Sequence, residues 1–190
     1  MAHFTEEEKK ILLKTAKDSV EHGVKKGKPL KVKCSSYPTS LQEDGASFVT
    51  IKKEGELRGC VGSVVAHRPL IQDVAENAFA AAFKDSRFLP VSKEELPLLS
   101  YSISVLTPLK QLKVSSEEEL IEKITPGKDG IILIEGPFQG TFLPVMWERL
   151  PNPKDFLAHL KIKAGLHPAY WSDTIQVYTF QAEKIGEDCE

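Results

Sequence analysis

No stretch of the chain approaches the ~20 consecutive apolar residues that a membrane-crossing helix needs, so the sequence predicts none. Cysteine is scarce. Cys34, Cys60 and Cys189 are odd in number and lack C-x-x-C spacing, which excludes a disulfide scaffold and fits a reducing compartment. The five histidines show no H-E-x-x-H pairing or other metal-ligand spacing, so no metal site is expected. The phosphate loops G-x-x-x-x-G-K-S/T and G-x-G-x-x-G are both missing, as is the G-x-S-x-G nucleophile elbow. A net charge of −2 exerts no general pull toward nucleic acid or an anionic membrane. The first residues, MAHFTEEEKK, put acidic side chains where a signal peptide carries an apolar core. The expectation is a folded cytoplasmic protein with no cofactor assigned.

What is present suits one α+β domain. The 190 residues are 41% hydrophobic and 27% charged, enough for a sizeable core and for a smaller lobe beside a larger one. Thr5 and Glu8 form a capping box ahead of Ile11, Leu12, Ala16, Val20 and Val24 at helical spacing, with Gly23, Gly27 and Pro29 as stop signals. Ser47 to Lys52 alternates, and Glu54-Gly55 turns it back into Leu57 to Val65, a hairpin. Pro69 suits a first helical residue before the broad apolar face from Leu70 to Phe83. Leu99 to Val105 alternates strictly with serines, as a half-buried strand does. Ser115 and Ser116 start a short helix reaching Ile124. Pro126 to Gly130 turns into the β-branched run Ile131 to Ile134, and Gly136 to Gly140 is expected to turn the chain again. Asn152 and Pro153 open a last helix that Gly165 closes, and Ile175 to Ala182 is the expected final strand. Hairpins without a regular βαβ period favour an antiparallel or mixed sheet.

The stretch ELRGCVGS, residues 56 to 63, places Cys60 between two glycines and two residues after Arg58. In an undisturbed strand Arg58 and Cys60 share a face, with Leu57 and Val61 on the other. A guanidinium beside a thiol favours the reactive thiolate. Glycine inside a strand marks a bulge or the close approach of another backbone or a ligand. The alternative is a buried cysteine acting as a small hydrophobe. His67, seven residues on, could approach the thiol through a reversed chain, the minimal activated nucleophile, or simply occupy a loop. Glu76, Asp85 and Arg87 could line a cleft or solvate a helix. His22 and His159 fall on helices as surface or packing residues. Lys25, Lys26, Lys28, Lys31 and Lys33 form a basic run that could meet phosphate, but no aromatics interleave it for base stacking.

The hexapeptide LRGCVG resembles the L-R-G-C-I-G motif of the AMMECR domain family. FVTIKKEGELRGCVGS, LIQDVAENAFAAAFKDSRF, SVLTPL, PGKDGIIL, GTFLPVMW and FLAHLKIKAGL resemble the family's successive blocks in order, from about residue 6 to 182. The chain is most similar to the stand-alone microbial branch called AmmeMemoRadiSam system protein A. The resemblance implies a two-lobed α+β fold with the hexapeptide near a groove between the lobes. It also implies Memo-like and radical-SAM protein partners. It carries no established reaction. Arg58, Gly59, Cys60, Gly62 and Arg87 become the expected groove residues, Cys60 the candidate nucleophile and Arg58 its support. Several relatives carry a cysteine where Lys161 stands, so Cys60 lacks that second thiol, which speaks against a dithiol or two-cysteine metal mechanism. Two functions follow: an accessory or binding module, or an enzyme using Cys60 in a redox or modification pathway. A nucleic-acid role rests on the lysine run alone.

Overall fold

The computed structural model describes residues 3–186, so Cys189 lies outside the described residues. The chain divides into two compact units, one taking residues up to Leu106 together with those from Glu183, the other taking Thr107–Ala182. Both are α+β, each built on a four-stranded antiparallel sheet.

In the first unit α1 (Glu6–Lys26) opens with the Thr5–Glu8 capping box and ends at Gly27, whose φ of 66° is the left-handed cap conformation. Gly23 is not a stop signal. It lies inside the helix, where a Cβ would stand 2.3 Å from the Phe83 ring. A short turn, α2 (Thr39–Gln42), leads to the hairpin of β1 (Ala46–Lys53) and β2 (Glu56–Gly62). Glu54 and Gly55 turn the hairpin at φ 51° and 87°, the paired positive values of the tight turn that matches strand twist. The strand ends at Gly62 rather than Val65, which is exposed in the following loop. Pro69 caps α3 (Leu70–Phe83) from outside instead of starting it. Then β3 (Leu99–Leu106) pairs with β1 along its whole length. The core gathers Leu12, Ala16 and Val20 of α1, Val49 and Ile51 of β1, Ile71, Val74 and Ala78 of α3, and Ile103.

The second unit adds β4 (Lys110–Leu112), α4 (Glu117–Lys123), β5 (Gly130–Glu135), β6 (Phe138–Phe142), α5 (Pro153–Ala164) and β7 (Gln176–Phe180), in sheet order β4-β7-β5-β6. Phe138 to Gly140 proves to be strand, because a two-residue turn at Gly136-Pro137 suffices to reverse β5 into β6. Trp147 stacks on Phe156 at 3.8 Å and 10°, with Phe142 edge-on to Phe156. The strand expected over Ile175 to Ala182 is β7; a further strand not anticipated from the sequence, β8 (Ala182–Gly186), joins the first unit's sheet beside β3. Among the described residues no helix is long and apolar enough to cross a membrane.

Candidate functional site

The hexapeptide lies on β2, the edge strand of the first unit's sheet in the order β2-β1-β3-β8. Its register slips once. Lys52 faces Leu57 and Ile51 faces Gly59, so Arg58 is an extra residue that β1 does not pair. This bulge interrupts the simple alternation of Arg58 with Cys60 and bends the strand. Gly59 is there because α3 passes close: a Cβ would sit 2.0 Å from the Ala81 carbonyl oxygen. Gly62 is equally constrained, with the Ser47 carbonyl oxygen at 2.3 Å and Phe48 beside it. Both glycines answer to close backbone approach.

Cys60 is half-buried and pairs across the hairpin with Thr50, whose Oγ1 lies 3.2 Å from Sγ. Its backbone N–H points off the sheet edge and donates to Asp85 Oδ2 at 3.0 Å. The carboxylate thereby caps an edge donor that would otherwise invite another strand. Arg87 clasps the same carboxylate, Nε to Oδ1 at 3.0 Å and Nη2 to Oδ2 at 2.7 Å. Cys60 N–H and the Arg87 guanidinium thus share one oxygen atom. Asp85 is 7% exposed, and the Arg87 fork holds its carboxyl well below the usual carboxylate range despite that burial. In return Asp85, and to a smaller degree Cys60, raises the Arg87 pKa.

Arg58 is committed elsewhere. Its Nε and Nη2 grip Glu95 at 2.9 and 3.1 Å, and Nη2 also reaches the Leu89 carbonyl at 2.8 Å. Glu95 accepts further from Lys53 Nζ and Ser92 N–H, and the Arg58 hydrogen bond leads in lowering its pKa to about 2. The staple ties the bulged strand to the turn at Lys93–Leu98. Arg58 Nη1 is buried without a partner. Phe88 has the Arg58 guanidinium 5.8 Å and the Arg87 guanidinium 5.4 Å from its ring centroid.

His67 stays in the exposed loop, its Nδ1 against the Val65 carbonyl, and no hydrogen bond joins it to Cys60. Glu76 has no place in the cluster. Lys25, Lys26, Lys28, Lys31 and Lys33 are all exposed and solvated. Lys161, at the position expected to hold a thiol in relatives, is fully buried and pins α5 to Glu117 at 2.8 Å and to the Pro168 carbonyl. Among the described residues no His, Cys, Asp and Glu group is arranged to hold a metal ion.

Sequence reasoning missed Glu95, Phe88 and the buried network beneath β1. In that network Asp73 Oδ2 accepts from Ser47 N–H and Oγ–H and from Asn77, while Arg68 Nε donates to Oδ1 at 2.7 Å. The acid in the first turn of α3 was a legible signal for Asp73. For Glu95 the signal was its capping box with Ser92.

The comparisons agree with this architecture. The chain is 38% identical over 161 residues to Protein MJ0810 of Methanocaldococcus jannaschii, covering 83% of this chain and 80% of that protein. It is 36% identical to Protein MK0488 of Methanopyrus kandleri, covering 97% and 91%. The crystal structure of the uncharacterized protein PH0010 from Pyrococcus horikoshii superposes with a TM-score of 0.87 at 33% identity, over 95% of this chain and 92% of that one. The AMMECR1 family model matches residues 13–185, a span that takes in the bulged strand, the Asp85–Arg87 clasp and both sheets, and the chain therefore belongs to the AMMECR1 family.

Proposed function

We propose that this protein is an accessory or binding module, whose binding face comprises Arg58, Gly59, Cys60, Gly62 and Arg87, and that it works in the cytoplasm with Memo-like and radical-SAM proteins. One observation carries the reading. Thr50 is the side chain hydrogen-bonded to the Cys60 thiol, and each motif-proximal arginine is already clasped by a carboxylate. A nucleophile needs a base within hydrogen-bond reach. The carboxylate at Cys60 accepts from its backbone N–H and is clasped by Arg87, so among the described residues the hydrogen-bond partner of the thiol is the Thr50 hydroxyl, which is no base. The resemblance to AmmeMemoRadiSam system protein A supports the choice of partners.

The test is a paired experiment on Cys60→Ser. Purified protein is captured on a co-expressed Memo-like or radical-SAM partner, and the same variant is used in genetic complementation. The module reading expects binding and complementation to survive in Cys60→Ser and binding to fail in Arg87→Glu. Complementation lost with partner binding intact turns the reading to thiol chemistry. No partner captured by the wild-type chain overturns it.

A further inference from the structure

The two arginines around Phe88 are wired alike. Arg58 spends Nε and Nη2 on Glu95, and Arg87 spends Nε and Nη2 on Asp85. Among the described residues neither Nη1 has a hydrogen-bond partner; that of Arg58 is buried, while Arg87 is an exposed side chain. Among the described residues the other buried side-chain polar atom without a partner is Glu135 Oε2 in the second unit. Its companion Oε1 already accepts from Tyr170, Ser172 and Thr174.

Charge points the same way. Lys53, Arg58 and Arg87 share two carboxylates, Glu95 and Asp85, which leaves one positive charge uncompensated. A buried donor without an acceptor is costly, and a cationic excess around it asks for an anion. Asp85 holds the Arg87 guanidinium plane in place, so an incoming anion meets a pre-oriented donor with little ordering left to do. Arg87 is 55% exposed, which leaves the cluster open to solvent on its side.

We propose that Arg58, Phe88 and Arg87 form an oxyanion subsite beside Cys60, taking the carboxylate or phosphate group of a ligand on the open side of the Arg87 guanidinium, with the buried Arg58 charge behind Phe88. The proposal rests on the reading of this face as a binding face and names the chemistry that it binds. Phe88 keeps the guanidiniums partly dry, which strengthens their hold on a charged oxygen. Cys60, whose backbone N–H shares Asp85 Oδ2 with Arg87, supplies the thiol that reports occupancy.

The test compares two alkylating reagents of nearly equal shape in a full-length Cys34→Ser, Cys189→Ser background. Iodoacetate carries a carboxylate and iodoacetamide is its neutral counterpart. An oxyanion subsite raises the iodoacetate-to-iodoacetamide rate ratio at Cys60 by about tenfold over the ratio for glutathione, corresponding to one decade of local binding. The iodoacetate rate also saturates with concentration and falls when inorganic phosphate or acetate is added. Arg87→Ala returns the ratio to that of glutathione, and Arg87→Lys, which keeps charge but loses the fork, recovers only part of it. Stronger protection by phosphate than by acetate assigns a phosphate ligand, and the reverse a carboxylate. A wild-type ratio equal to that of glutathione, or one that ignores Arg87→Ala, overturns the proposal. If Cys60 resists both reagents, inorganic phosphate is titrated by amide NMR, and unmoved Cys60, Arg87 and Phe88 signals overturn it. Partner capture without the iodoacetate preference removes the subsite and leaves the module. The preference without capture does the opposite.

Discussion

The two units solve the same packing problem with different chemistry. Each lays helices on a four-stranded antiparallel sheet, yet the second fills its core with an aromatic stack, Phe142, Phe156 and Trp147. The second buries one charge, Lys161 paired with Glu117, whereas the first carries a wider carboxylate network, with Asp73 fully buried under β1 and Glu95 and Asp85 tying down arginines at the edge of β2. An aromatic core converts buried area into stability with few geometric demands. A buried carboxylate stabilises only if every partner is in place, and its worth lies in specifying one arrangement. The unit with the wider carboxylate network is the one that carries LRGCVG.

Breaking each unit at its centre gives the largest effects. Asp73→Ala strands Arg68, Asn77 and the Ser47 donors and should cost about 3–5 kcal/mol, measured by urea denaturation. Phe156→Ala should cost a similar ~3–5 kcal/mol through cavity formation, with a red shift in Trp147 fluorescence as its stacked face meets water. Next comes Gly59→Ala, which drives a methyl into the Ala81 carbonyl. We expect about 1–3 kcal/mol of destabilisation and a displaced α3 amide pattern in NMR, with Thr50→Ser as a mild control.

Acid sharpens the comparison further. The folded state holds the Glu95 carboxyl down at about 2, so the stability it contributes is present above its unfolded value of ~4.3 and is lost as pH falls through about 2. Asp85, also depressed, acts in the same direction. Urea midpoints should therefore fall on acidification over that window, and less steeply in Glu95→Gln. Glu119 of the second unit is likewise held at about 2, by Lys123 on the solvent face of α4, and Glu119→Gln should give only a slight effect that added salt erases.

Local signals served well where the chain needs only itself. The Thr5–Glu8 box, the Glu54-Gly55 turn, the Ser116 and Asn152 caps and the Gly165 stop are all in place, because each is satisfied by residues within a few positions. The readings that failed needed distant partners. Gly23 looked like a terminator until Phe83 of another helix claimed its missing side chain. The strand β8 after Ala182 went unread because it pairs with β3, far back along the chain. Within the candidate site, Cys60, its glycines and Arg87 were legible as residues of interest. The partner of Arg58 was not, because Glu95 lies 37 positions away along the chain.

By itself, then, the sequence determined the α+β class, the order of most elements and the family, since patterning, caps and turn chemistry act over a few residues at a time. Only the tertiary structure decided that a bulge isolates Arg58, that Asp85 closes the edge of β2 at Cys60, and that two guanidiniums converge on Phe88 with donors to spare. Those outcomes depend on which carboxylate a folded backbone carries within hydrogen-bond reach, and hydrogen-bond reach is a property of space that no local pattern encodes.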